Sequence, residues 1–142
     1  MSNAVEYDIS RALFERIDGH EFSQPVRVSW PGAEFVPEAG TWLGVTIHYT
    51  GVDQITLGDA GLNRYTGFLR VDVNTPAGNG LAEPLNMAAE VVALFRRGTE
   101  IQIDGRWIRA ILPPQLSDPL EFNGWIRVPV TVRWQSDNQN VS

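Results

Sequence analysis

Apolar positions recur at helical spacing in two parts of this chain and alternate at strand spacing in several others. Between Val5 and Asp18, the residues Val5, Ile9, Leu13 and Ile17 form one stripe with Phe14 beside it, which predicts an amphipathic helix. Glu6 and Asp8 lie early in it and Arg11 and Arg16 later, which suits the helix dipole, and Gly19 follows as a stop. Val26 to Trp30 predicts a short strand. Pro31-Gly32 breaks it, and a loop rich in Pro, Gly and Glu runs to Gly40.

Thr41 to Tyr49 alternates Leu43, Val45, Ile47 and Tyr49 against Trp42, Thr46 and His48. Gln54 to Leu57 continues this strand or begins an arm, and 58–64 reads as an exposed loop. The next strand sends Leu69, Val71 and Val73 one way and Phe68, Arg70 and Asp72 the other. A second helix is predicted over Leu81 to Arg97, with Leu81, Leu85, Ala88, Val92 and Phe95 as its buried stripe and Glu83, Asn86, Glu90 and Arg97 as its wet one. Pro84 restricts its start to the first turn.

Asp104-Gly105, between Ile101-Gln102-Ile103 and Arg106-Trp107-Ile108, is a strong two-residue hairpin signal. A loop with three prolines follows from Pro113 to Gly124. Trp125 to Trp134 is the cleanest strand, with Ile126, Val128, Val130, Val132 and Trp134 inward and Trp125, Arg127, Thr131 and Arg133 outward. Pro129 predicts an edge strand or a bulge, because it has no N–H for a ladder. The polar residues 136–142 read as a frayed tail after a single domain spanning 1–135. The order is α-β-β-β-α-β-β. The simplest architecture is α+β: a mostly antiparallel sheet of about five strands with two helices packed on one face.

Composition narrows the chemistry. A chain of 142 residues is an ordinary single domain, long enough to bury a core without staples. It has no cysteine, which removes disulfides and thiolate metal sites and fits a reducing compartment. No apolar run reaches membrane-spanning length, and no export signal is expected. The net charge of −6 argues against bulk-field binding to nucleic acid or anionic membranes. All 11 basic residues are arginine. That excludes a P-loop lysine, a Schiff base and an amine base, and it supplies planar forks for pairing and stacking.

The stretch 66–97 has the strand, Gly-rich loop and helix of a phosphate cradle. It lacks Gly-Lys-Ser/Thr and three spaced glycines, and Glu83 stands where an anion would sit. A compact connection is the expected reading. His20 and His48 have no metal-ligand spacing and read as surface residues, and no serine has a triad-like setting. Acidic pairs such as Glu6 with Asp8, or Asp118 with Glu121, read as solvated charges. No catalytic, metal or cofactor residues are expected.

One constellation stands out. Alternation places Trp42, Phe68, Trp107 and Trp125 with Arg70, Arg109, Arg127 and Arg133 on the face away from the helices. Aromatic and arginine side chains together suit a protein interface or a single-stranded nucleic-acid platform. The third reading is cover by the chain's own loops, 31–40 and 113–123. All three stay open at this point.

The order of several motifs resembles the phage tail terminator family, small tail-completion proteins with a lambda-type terminator fold. The likeness rests on the first helix, Trp30-Pro31, Thr41-Trp42-Leu43-Gly44-Val45, Leu57-Gly58 before Arg64, and the run from Gly67 to Val73. It continues through Pro76 to Gly80, Leu94 to Gly98, and the closing run from Gly124 to Trp134. The resemblance implies a non-enzymatic virion protein without cofactors, located at the head–tail junction and in the host cytoplasm during assembly. It implies a ring of copies of itself, usually a hexamer, that caps the tail tube protein and docks a head-side connector protein. DNA would pass through the lumen without specific contact, and no membrane is involved. The candidate oligomer or partner interface is Trp42, Arg64, Tyr65, Phe68, Arg70, Trp107, Arg109, Trp125 and Arg127. Another head–tail joining or minor tail protein, and a single-stranded nucleic-acid-binding module, are the alternatives.

Overall fold

The computed structural model describes residues 4–58 and 61–139. Its elements are α1 (Val5–Asp18), β1 (Arg27–Ser29), β2 (Trp42–Gln54), β3 (Leu62–Pro76), α2 (Ala82–Leu94), β4 (Glu100–Ile103), β5 (Arg106–Ala110), β6 (Gln115–Leu116), β7 (Leu120–Phe122) and β8 (Trp125–Gln139). They form one sheet in the order β1-β2-β3-β8-β5-β4, with β6 and β7 also paired to β8. The α+β class and the two helices are as expected. The sheet itself has eight strands rather than about five, and it is mixed, because β1 runs parallel to β2. Two strands, β6 and β7, escaped the pattern because they are only two or three residues long, too short to show a period.

Long strands carry the architecture. β3 pairs antiparallel with β2 on one side and with β8 on the other over its full length, Leu62↔Gln139 to Pro76↔Trp125. So 62–64, expected as loop, is strand, and the polar run after Gln135 is strand as far as Gln139. Residues 140–142, and Asp59 and Ala60 of the predicted loop, lie outside the described residues. The polar side chains gave no apolar alternation to read there; the strands are held by ladder hydrogen bonds and cross-strand pairs instead.

Pro129 corrects the expectation of an edge strand. It lies opposite Asp72 in a strand flanked on both sides, and its carbonyl accepts the Ser117 N–H at 2.9 Å. The N and C=O of one strand residue face the same side, so the missing N–H falls at the break between β6 and β7, where no ladder bond is lost.

The core lies between the aliphatic sheet face and the helices. Leu43, Val45, Leu69, Val71, Val73, Val128, Val130, Val132 and Trp134 are buried there beneath Ile9, Leu13, Ile17, Met87, Val91 and Phe95. Helix α2 sits on β3 and β8, and α1 on β4, β5 and α2. The α1 stripe is as predicted. The α2 stripe is rotated: Pro84, Met87, Ala88, Val91 and Phe95 are buried, while Leu81 and Leu85 are exposed. The helix also ends at Leu94, so Arg96 and Arg97 lie past its last turn. Trp134 explains a glycine: its indole packs over Gly67 on the neighbouring strand, where any Cβ would strike both that ring and the His48 carbonyl.

The Gly-rich connection is a turn. Gly78 and Gly80 adopt φ of 100° and 80°, which only glycine enters freely. The Glu83 carboxylate is held by Thr41 Oγ1 at 2.6 Å and Gln24 Nε2 at 2.8 Å, so the helix start is already occupied by an anion belonging to the chain.

Asp8 is the clearest correction among the charges. Expected to be solvated, it is 2% exposed and accepts a hydrogen bond from Arg106 Nε at 2.9 Å. Arg106 also donates to Asn138 Oδ1 at 2.8 Å, and Asn138 Nδ2 donates to Ser136 Oγ. This buried polar chain ties α1 to the β4–β5 hairpin and to the far end of β8. Alternation contained the signal, since Arg106 shares the inward parity of Ile108.

Candidate interaction surface

The sheet face away from the helices is built by strict alternation across paired strands. Trp42, Asn74 and Arg127 lie side by side, as do Thr46, Arg70 and Thr131, and then His48, Phe68 and Arg133. Further along come Asp53, Arg64 and Asp137. On β5, Trp107 and Arg109 point out while Ile108 and Ala110 point in. Eight of the nine predicted interface residues therefore share this face or its rim. Tyr65 does not: it pairs with Val52 and Ser136 on the helix side and packs against the core. One residue of strand offset decides which face a side chain takes.

The shared face has two chemically different ends. Measured along β8, Arg127 and Asp137 are roughly 33 Å apart. At the first end the chain covers itself. Trp42 meets Trp125 edge-on at 6.0 Å and carries Phe35, from the 31–40 loop, at 5.0 Å; Arg27 lies over Phe35 at 4.7 Å. Arg127 lies over Phe122, from the 113–123 segment, at 4.2 Å and donates from Nε to Asn74 Oδ1 at 2.9 Å. Own-loop cover is thus what the fold gives Trp42, Trp125 and Arg127. Phe35 and Phe122 complete the cluster and were not picked out, because neither lies in an alternating run.

The second end is open. Trp107 is 50% exposed beside a groove of about 300 Å³ lined by Glu100, Trp107, Arg109, Gln135 and Asp137. Arg109 Nε donates to Glu100 Oε1 at 2.8 Å, and Arg64 grips Asp137 with two bonds of 3.0 and 3.2 Å. The hydrogen bond to Asp137, followed by its charge, raises the Arg64 pKa. Between the two ends, Arg70 Nε bonds Asp72 at 2.8 Å, and Phe68 lies between a stacked His48 ring at 4.4 Å and the Arg133 guanidinium at 5.8 Å. Most of the arginines are therefore neutralised by carboxylates on the same or a neighbouring strand. The surface is amphipathic and ion-paired, not basic.

Sequence reasoning missed Glu100 and Asp137, since it treated outward positions one strand at a time. Glu100 and Asp137 become partners only through the register that sets Glu100 opposite Arg109 and Arg64 opposite Asp137. Among the described residues, no group of three His, Cys, Asp or Glu could hold a metal ion. Nor is any helix among the described residues long and apolar enough to cross a membrane. His20 lies 3.5 Å from Glu90 and edge-on to Phe22.

Comparison with known proteins bears on the identity. One solved structure superposes with a TM-score of 0.73 at 24% identity, covering 94% of this chain and 96% of the other. A chain from the virion of a native gene transfer agent particle superposes with a TM-score of 0.64 at 15% identity, covering 96% and 100%. At these identities both establish the fold. Among curated proteins no significant sequence match is found. The profile of the phage tail terminator protein family matches residues 8–134, from the first turn of α1 to Trp134. The match spans nearly all of the core, and this chain belongs to the phage tail terminator family.

Proposed function

We propose that this protein closes into a ring on the finished tail tube, ends tube polymerisation and presents the surface on which the head-side connector docks. Membership of the family gives the coarser statement, a structural component of a phage-type tail in a structural rather than catalytic family. The similarity to a chain of a gene transfer agent virion supports a place in the particle. The observation that carries the reading is the open end of the outer face. Trp107 stands half exposed among ion pairs that are already made, so a protein partner would bury an aromatic anchor without stranding a charge. Ring closure needs a heterologous contact between two different surfaces of one chain. The two unlike ends of this sheet offer such a pair. A ring of about six copies at the head–tail junction, assembled in the host cytoplasm, fits this reading. The acidic surplus suits a lumen through which DNA passes without adhering.

The same ion pairs disfavour the nucleic-acid alternative, because guanidiniums held by carboxylates release few counterions on meeting phosphate. The sister role of a head–tail joining protein is separated by electron microscopy of particles lacking this chain. Overlong or headless tails support a terminator. Tails of normal length that merely fail to join heads would assign it to the connector side.

A further inference from the structure

The β2–β3 hairpin extends well beyond the core. Residues 50–58 are all exposed, including Val52 at 55%, Ile55 at 37% and Leu57 at 91%. A side chain as exposed as Leu57 adds little to the stability of its own fold. Yet the arm is a built structure. A register shift between Tyr49 and Gly51 bends it at its base. Thr50 and Thr66 hydroxyls bond across it at 3.2 Å, and Arg64 with Asp137 ties it to β8. Beyond Gly44, where β1 ends, β2 also has no further strand beside it among the described residues. That is a free edge available for contact.

The opposite end of the sheet carries a second apolar group. Leu120 is 54% exposed and sits opposite Arg127, next to Phe122 and Trp125. The strand places Leu62, at the arm, opposite Gln139. From Arg127 to Gln139 is roughly 40 Å along β8, so the two apolar groups cannot meet within one chain. Two apolar groups at opposite ends of one sheet can meet only between copies, head to tail, and such contacts close a ring when the rotation allows.

We infer that the tip of the β2–β3 arm, through Leu57 and Ile55, docks on the Leu120–Trp125 end of the next copy. This rests on the ring reading and names the surfaces that make it. The absence of cysteine makes the test clean. Leu57→Cys and Leu120→Cys are introduced together and singly, then treated with a short bismaleimide in solution and on tail tubes. Native mass spectrometry of the untreated protein reports assembly independently. A covalent ladder in the double variant, absent from both singles, is expected. Leu57→Asp is expected to weaken assembly at least tenfold with an unchanged melting temperature. Assembly without the ladder overturns the arm contact and leaves the ring standing. A chain that neither oligomerises nor seats on tubes overturns both.

Discussion

Replacing Arg106 by Met removes one partner of the Asp8–Arg106 pair and leaves a carboxylate that is 2% exposed. Breaking a buried pair from one side costs about 3–5 kcal/mol, because the remaining charge stays unsolvated after losing a main partner. Arg11 still lies 3.4 Å from Asp8 and is itself partly exposed, which favours the lower end of that range, about 3 kcal/mol. Unfolding entropy of ~2.1 cal/mol/K per residue gives a 142-residue chain about 0.3 kcal/mol/K, so the melting temperature should fall by about 10 °C. The double variant Asp8→Leu with Arg106→Met removes both charges, and it should recover at least about half of the loss. Asn138, which also takes a bond from Arg106, limits the recovery. Calorimetry on the wild type, both singles and the double closes the cycle. A fall of less than about 3 °C for Arg106→Met would refute the claim that this pair locks α1 to the hairpin. So would a double variant as unstable as the sum of the singles. The pair also bears on the surface, since Arg106 anchors the strand whose next residue is Trp107.

Three further outcomes follow from the same structure. Trp107→Ala should leave stability within about 0.5 kcal/mol by urea titration yet lower tube association at least tenfold, as expected of an exposed anchor. Gly67→Ala should destabilise by about 1–3 kcal/mol through the clash with Trp134 and the His48 carbonyl, read as a loss of denaturation midpoint without a change of slope. Glu90 has its pKa held below the usual carboxylate range, first by the Ser23 hydroxyl. A depressed carboxylate stabilises the fold above its unfolded pKa and loses that contribution as pH falls through its folded pKa. Ser23→Ala should therefore raise the Glu90 titration midpoint seen by NMR and flatten acid destabilisation; an unmoved midpoint would remove the hydroxyl as the cause.

The core was legible in the sequence because each of its strands carries an uninterrupted aliphatic alternation, as from Leu69 to Val73 and from Val128 to Val132. The helix stripe of α2 was less so: Leu81 and Leu85 fit helical spacing as well as Met87 and Val91 do, and only packing on β3 and β8 selects between them. Strand ends such as Asn63 and Asn138 could not be read, since their side chains are polar on both faces and cross-strand pairing holds them. Of the outer face, alternation found the aromatic and arginine members. It missed Glu100 and Asp137 as partners of Arg109 and Arg64, because that depends on which strands become neighbours; cover by the chain's own loops was among its open readings, and the fold selects it at the Trp42 end. Tyr65, grouped with the outer-face residues as an interface candidate, lies on the helix side instead, which only the strand register reveals.

The central claim is that this chain stops a growing tube. Its most direct test adds the purified protein to tail tube protein polymerising in vitro and measures tube lengths by electron microscopy. Lengths that shorten and cease to grow as the chain is added, with a ring density at one tube end, are predicted. Tubes that keep elongating at saturating amounts of the chain, with bare ends, would contradict it.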